Sequence, residues 1–161
     1  MTDLTEQFRQ VLARSTAEDR KMLADWLAGF EQKQQGAYST YLNAALQMNR
    51  ELLDDRCIIS LPNTPFIHNS LGIPHGGIIA TLLDTAMGTL ASSRCPEGFV
   101  TVTSTFNVHY LSVADTSALI AEAHILRAGR HMMIVEGKVE KSDGELVAHA
   151  TGSFFIIPTP Q

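Results

Sequence analysis

Asp84 is the only Asp, Glu, Lys or Arg between Cys57 and Ser93, a run of 37 residues. A lone carboxylate there needs a reason, because burying an unpaired charge costs several kcal/mol unless hydrogen bonds or function compensate. Nine residues before it stands His75, followed by Gly76 and Gly77, and the preceding loop adds His68, Asn69 and Gly72. Glycines that open a helix expose backbone N–H groups, and those donors, with the helix dipole, can hold the oxyanion that develops on an attacked carbonyl. An Asp two turns into the same helix can attack that carbonyl or serve as a base toward water. A neutral Asn can orient the water or the carbonyl. Together these residue types fit acyl transfer, although HN and GG pairs are also common in turns for conformational reasons alone.

Other chemistries fit less well. The chain has 6 histidines, but there is no HExxH, His68 and His75 are seven apart across a Gly/Pro loop, and neither Cys57 nor Cys95 lies in a ligand cluster. No metal site is expected on that spacing. No GxSxG elbow and no phosphate-binding Gly-rich loop ending in Lys appear, which disfavours a serine hydrolase of the α/β type and a nucleotidase.

The elements that must position these residues follow from pattern. Gly76 to Ser93 has no Pro and reads as a helix, with Ile78, Ile79, Leu82, Leu83, Ala86, Met87 and Leu90 on a wide apolar arc. The other face carries Gly77, Ala80, Asp84, Gly88 and Ala91, small enough to let a second backbone or a ligand come close. The bland alternative is a helix with one wet side, but such a face normally carries several charges. Cys57 to Leu61 reads as a strand, and four more strands are expected at 99–111, 117–127, 131–141 and 145–157. In the first of these, Val100, Val102, Phe106, Val108 and Tyr110 alternate with Thr101, Thr103, Thr105, Asn107 and His109, the mark of a half-buried antiparallel strand. Asp143-Gly144 is a hairpin signal and Gly129-Arg130 a second turn. The expectation is an α+β arrangement in which an antiparallel meander wraps one central helix.

Residues 4 to 35 carry apolar positions at helical spacing, with Ser15 and Glu18 placed as a capping box between two helices, and a further helical pattern spans Tyr38 to Leu53. This region reads as a helical extension packed on the main domain; a lid or partner surface is the sharper alternative. Trp26 and Phe30 could cap a pocket there or only bury the extension.

Composition narrows the partners. There are 12 basic and 17 acidic residues, for a net charge of −5, with no basic cluster interleaved with aromatics. No nucleic-acid partner is expected, since such affinity rests largely on phosphate neutralisation. No apolar run approaches the roughly 18 residues needed to span a bilayer, and the N-terminal segment lacks the pattern of a secretory leader. With two distant cysteines, the expectation is a cytoplasmic protein without a membrane partner.

The segment HNSLGIPHGGIIATLLDTAMG, residues 68 to 88, resembles the signature of hotdog-fold thioesterases of the phenylacetate-pathway (PaaI-like) group, in which an Asn, an HGG turn and a helical Asp recur at this spacing. TVTSTFNVHYLSVA resembles the family's second strand, and LRAGRHMMIVEGKVEKSDGELVAHATGSFFI its last three. The resemblance runs from about residue 55 to 157 and implies two domains, a helical extension over 1–54 and a hotdog thioesterase domain over 55–161.

The resemblance also implies roles. Asp84 falls on the catalytic carboxylate, Gly76 on the residue whose N–H polarises the thioester carbonyl, Asn69 on the side chain that positions carbonyl or water, and His75 on the loop histidine that shapes the turn. Thr103 falls where relatives place a Ser or Thr near the attacking water. His75, Gly76 and Gly77 would line the substrate, and Arg127, Gly129 and Arg130 near the strand turn would meet the phosphates of coenzyme A, with solvated strand-end charge as the alternative. Arg94 and Lys138 are further candidates for those phosphates, whereas His109, His124, His131 and His149 read as surface or core-edge residues. In the family two hotdogs pair with continuous sheets, and each site takes its Asn loop and its Asp helix from different subunits, so a homodimer or homotetramer is expected. The implied activity is hydrolysis of an acyl-CoA to a free acid and coenzyme A, with no cofactor. The rival is a non-catalytic acyl-CoA-binding hotdog, which would need the pocket but not the acid; the motifs of hotdog dehydratases and hydratases are not found.

Overall fold

A computed structural model describes residues 3–160. The chain divides into two compact units, Met1–Gln47 and Met48–Gln161, so the division falls before the boundary expected after residue 54.

The first unit is helical. Helix α1 (Leu4–Arg14) and helix α2 (Ala17–Gln34) are followed by the short α3 (Tyr41–Ala45). The capping box lies one residue later than expected: the Thr16 hydroxyl accepts from the Asp19 N–H while the Asp19 carboxylate accepts from the Thr16 N–H. The Ser15 hydroxyl is engaged elsewhere, donating to the Val11 carbonyl at 2.7 Å. Gly29 on α2 faces the Ala44 backbone so closely that no Cβ would fit. Trp26, Phe30, Tyr41, Leu42, Ala44 and Ala45 line an apolar groove of about 350 Å³.

The helical pattern from Tyr38 to Leu53 is only partly realised. Gln47 adopts φ +52, a left-handed conformation that ends helical continuation. Beyond it Asn49–Leu52 forms strand β1, whose residues pair with β2 (Arg56–Pro62). A hairpin ladder, with partners 5 to 11 residues apart, has overridden the helical periodicity.

The second unit is a six-stranded, wholly antiparallel sheet in the order β1-β2-β4-β5-β6-β3, with β3 at Phe99–Tyr110, β4 at Ala118–Ala128, β5 at Met132–Lys141 and β6 at Leu146–Pro158. Helix α4 (Gly76–Ser93) packs on one face and touches β2 through β6. It buries Leu82, Leu83, Ala86, Met87 and Leu90 against Ile59, Leu61, Ala121, Val135, Val139, Ala150 and Phe154. Each large apolar side chain so covered contributes about 1.5–3 kcal/mol. Glycines set the depth of the helix: a Cβ at Gly137 would lie 3.0 Å from Met87 Sδ, and one at Gly152 3.1 Å from Met87 Cε. Ile78 is only partly covered, and Ala91, expected on the small-residue face, is buried in the core.

Two features of the sheet depart from expectation. Strands β4, β5 and β6 form a meander, but β3 leaves it to pair with β6 at the far edge. Residues 111–117 make that crossing. Seven residues reach up to about 23 Å, more than the roughly 14 Å of three strand spacings, so shortness of a connection does not make its strands neighbours.

The second departure is a bulge. Thr103 pairs with Phe154 and Thr105 with Ser153, leaving Ser104 unpaired. The alternation therefore changes phase. Thr101 and Thr103, then Phe106, Val108 and Tyr110, share the face of Phe154, Gly152, Ala150 and Ala148 that looks toward α4, while Val102 is 43% exposed on the other side. The single apolar face expected from Val100 to Tyr110 is split at this point.

Candidate active site

The chemistry-bearing loop lies between β2 and α4. Its turn is closed by hydrogen bonds from Asn69 N–H to the Ile73 carbonyl (2.9 Å) and from Gly72 N–H to the Asn69 carbonyl (3.0 Å), with Gly72 at φ +74. The Asn69 side chain takes part, its Oδ1 accepting from Leu71 N–H at 2.8 Å. Its amide NH2 group is left to donate. Asn69 can thus hold an acceptor, a carbonyl oxygen or a water lone pair, from a rotamer that the loop itself locks.

His75 is the N-cap of α4. Its Nδ1 accepts from Gly77 N–H at 2.9 Å, which places the ring proton on Nε2, and its carbonyl accepts from the N–H groups of Ile78 and Ile79. These three bonds occupy most of the orphan donors of the first turn. Among the described residues none accepts from Gly76 N–H. One backbone donor at the positive end of an 18-residue helix is therefore free, and it belongs to Gly76 rather than Gly77.

Asp84 projects from the middle of α4, half-buried, and its Oδ1 accepts from the Thr103 hydroxyl at 2.8 Å. The bulge at Ser104 is what lets Thr103 share the helix-facing side with Phe106 and Tyr110. Bonds elsewhere repeat the attachment: Ser92 and Thr101 hydroxyls meet at 2.8 Å, and the Tyr110 hydroxyl donates to the Gly76 carbonyl at 2.8 Å. The edge strand is stitched to the helix at its start, middle and end. One oxygen of Asp84 is tied by Thr103, and Oδ2 remains to address water or a carbonyl.

A family model described as the thioesterase superfamily matches residues 71–148, a span that includes His75, Gly76, Asp84 and Thr103. The BH2602 protein of Bacillus halodurans, whose crystal structure was solved with CoA, is 36% identical, with a TM-score of 0.89 over 96% of this chain and 100% of that one. The chain belongs to the thioesterase superfamily. A Saccharolobus solfataricus protein, SSO2140, named as a candidate esterase, is 29% identical over 65% of this chain and 74% of its own length. The PaaI protein of the Escherichia coli phenylacetic acid degradation operon, at 18% identity, shares the fold: TM-score 0.69 over 83% of this chain and 96% of that one. The sheet folded over one helix is the hotdog fold.

Not every expected site residue of this superfamily member joins the cluster. Arg127 pairs across the sheet with Ile134, Ser153 and Thr105 in succession, which places it on the face away from α4 and Asp84. Arg127, Gly129 and Arg130 are all exposed at the β4–β5 turn. Gly129 has a conformational reason to be glycine, since a Cβ there would meet the Met132 carbonyl oxygen at 2.8 Å. On the same outer face Glu122 is pushed up by burial but held below the usual carboxylate range by bonds from Lys138 and His124. Lys138 and His124 are thus engaged in a surface ion-pair group. Cys57 is buried and its thiol is pushed up to about 11 by burial, so it stays protonated and is no nucleophile.

Sequence reasoning passed over Asn63. Its side-chain amide donates to the carbonyls of Ala114 (3.2 Å) and Thr116 (2.8 Å), while its Oδ1 accepts from His68 Nε2 at 2.7 Å. Asn63 thereby ties the Asn69 loop to the crossing segment after β3. No local pattern marks this residue, because its partners lie 51 and 53 positions away.

Proposed function

We propose that this chain is an acyl-CoA thioesterase, hydrolysing a thioester to a free carboxylic acid and coenzyme A in the cytoplasm. The carrying observation is the pairing of a free helix-terminal donor, Gly76 N–H, with a carboxylate held in one orientation by Thr103 on the same helix. That the similar Bacillus halodurans protein was crystallised with CoA supports the coenzyme half of the substrate. In this reading Gly76 N–H receives the developing oxyanion, the Asn69 amide orients the carbonyl or the water, and Asp84 acts as base toward water or attacks directly. His75 keeps Gly77 N–H occupied and so defines which donor faces the substrate. Arg127, on the outer face, and Arg130, in the β4–β5 turn, serve the coenzyme phosphates only as part of an assembly. The hydrolytic unit, expected over 55–161, takes in β1 as well and so begins at Met48, with the preceding helices as an extension to it.

As the family resemblance implies, each site joins Asn69, His75 and Gly76 of one copy to Asp84 and Thr103 of another. Strand β3 is an unpaired edge of 12 residues with Phe99 and Val102 over 40% exposed, suited to continuing the sheet into a second copy.

The test is release of free thiol from aromatic, short-chain and long-chain acyl-CoA panels, with Asp84→Ala beside wild type. Loss of turnover by at least about a hundredfold, with the oligomer intact by light scattering, is expected. Undiminished hydrolysis by the variant overturns the assignment, and CoA binding without hydrolysis by wild type points to a binding protein instead.

A further inference from the structure

From the contact between the Tyr110 hydroxyl and the Gly76 carbonyl, 2.8 Å long, we infer that Tyr110 is a positioning residue for the oxyanion donor. The inference rests on the thioesterase reading, and nothing in the sequence motif pointed to it. Gly76 is the first residue of α4. It lacks a Cβ, its own N–H is free of protein partners, and first turns fray. An oxyanion donor needs the opposite, a dipole already aimed before the charge develops. The hydroxyl holds the next peptide unit, Gly76 carbonyl to Gly77 N–H, from outside the helix and so fixes the Cα from which the Gly76 N–H extends.

Tyr110 reaches Gly76 because of the same phase change that aims Thr103. Thr103 lies before the bulge and Tyr110 after it, and both point to the helix-facing side only because Ser104 is left unpaired between them. One strand thus holds the donor at the helix start and the carboxylate two turns further on. Their spacing is set by β3 as well as by α4.

The experiment compares Tyr110→Phe with wild type in the thiol-release assay, with Asp84→Ala and Ser92→Ala as references. Tyr110→Phe keeps the ring and its packing and removes only the hydroxyl. A neutral hydrogen bond on the protein surface corresponds to about a fivefold effect. The expected result is a kcat about fivefold lower with KM within about twofold, together with faster amide exchange over residues 76–80. Ser92→Ala cuts the tether to the opposite end of the helix and should leave kcat unchanged, though it loosens the same strand. A Tyr110→Phe kcat equal to wild type overturns the inference, and so does a fall matched by Ser92→Ala, which marks general loosening of β3. If wild type does not hydrolyse thioesters, or Asp84→Ala still does, it is the thioesterase reading that fails.

Discussion

Replacing Thr103 by valine removes one hydroxyl and keeps the shape and strand preference of the side chain. In the native structure that hydroxyl donates to Asp84 Oδ1 at 2.8 Å. Hydrogen bonds to charged groups contribute about 1.5–3 kcal/mol, and because Thr103 is exposed on an edge strand, where water can replace it, the lower end applies. At about 1.4 kcal/mol per decade, Thr103→Val should lower kcat roughly tenfold. Without the bond the carboxylate samples other χ1 and χ2 rotamers, and the fraction with Oδ2 toward the reacting atoms falls. KM should hardly move, since no substrate contact is lost, and the unfolding midpoint should fall by about 3–6 °C. The thiol-release assay on Thr103→Val, Thr103→Ser, Asp84→Asn and the Thr103→Val/Asp84→Asn double variant completes the test. Serine should restore most of the rate. In the Asp84→Asn background the valine substitution should cost almost nothing further, because a residue acting through Asp84 has nothing left to orient. A tenfold loss in both backgrounds would refute the reasoning and place Thr103 on the substrate or the water independently of the acid. An unchanged kcat in the single variant would show that the packing of α4 alone orients Asp84.

Asn69→Asp keeps the acceptor that closes the turn on Leu71 N–H but replaces the donating NH2 with a second acceptor. Turnover should fall about a hundredfold or more with the loop still folded by circular dichroism; retained turnover would show that the turn, not the donor, is what Asn69 supplies. Deleting Ser104 converts the bulged ladder to a regular one in which Thr101, Thr103, Phe106, Val108 and Tyr110 still share the helix-facing side. The deletion should therefore keep activity within about tenfold of wild type, whereas collapse of activity with a folded sheet would mean that the extra local twist of the bulge aims Thr103.

Local signals were sufficient where a residue's role depends on near neighbours. The apolar run with small residues from Gly76 to Ser93 made one helix, and the lone charge on it lies where an i to i+8 count places it, two turns from the N-terminus. The strand segments appeared close to the expected positions because alternation and turn residues act over a few positions, as at Gly144 with φ +90. Asn69 and His75 fell in one loop that ends at Gly76, the first residue of α4, for the same reason. Tertiary structure decided what depends on partners distant in the chain. β3 went to the far edge because the distant β6 offered it a ladder, whereas Asn49–Leu52 became a strand through a hairpin to the nearby Cys57–Ser60. The phase change at Ser104 is invisible in a Val/Thr alternation, since a bulge exists only relative to a paired strand. It is nonetheless what turns Thr103 toward Asp84 and Tyr110 toward Gly76 at once. Sequence alone singled out Asp84 and Gly76 as candidates; the sheet, by its long-range pairing, determined which hydroxyls hold them.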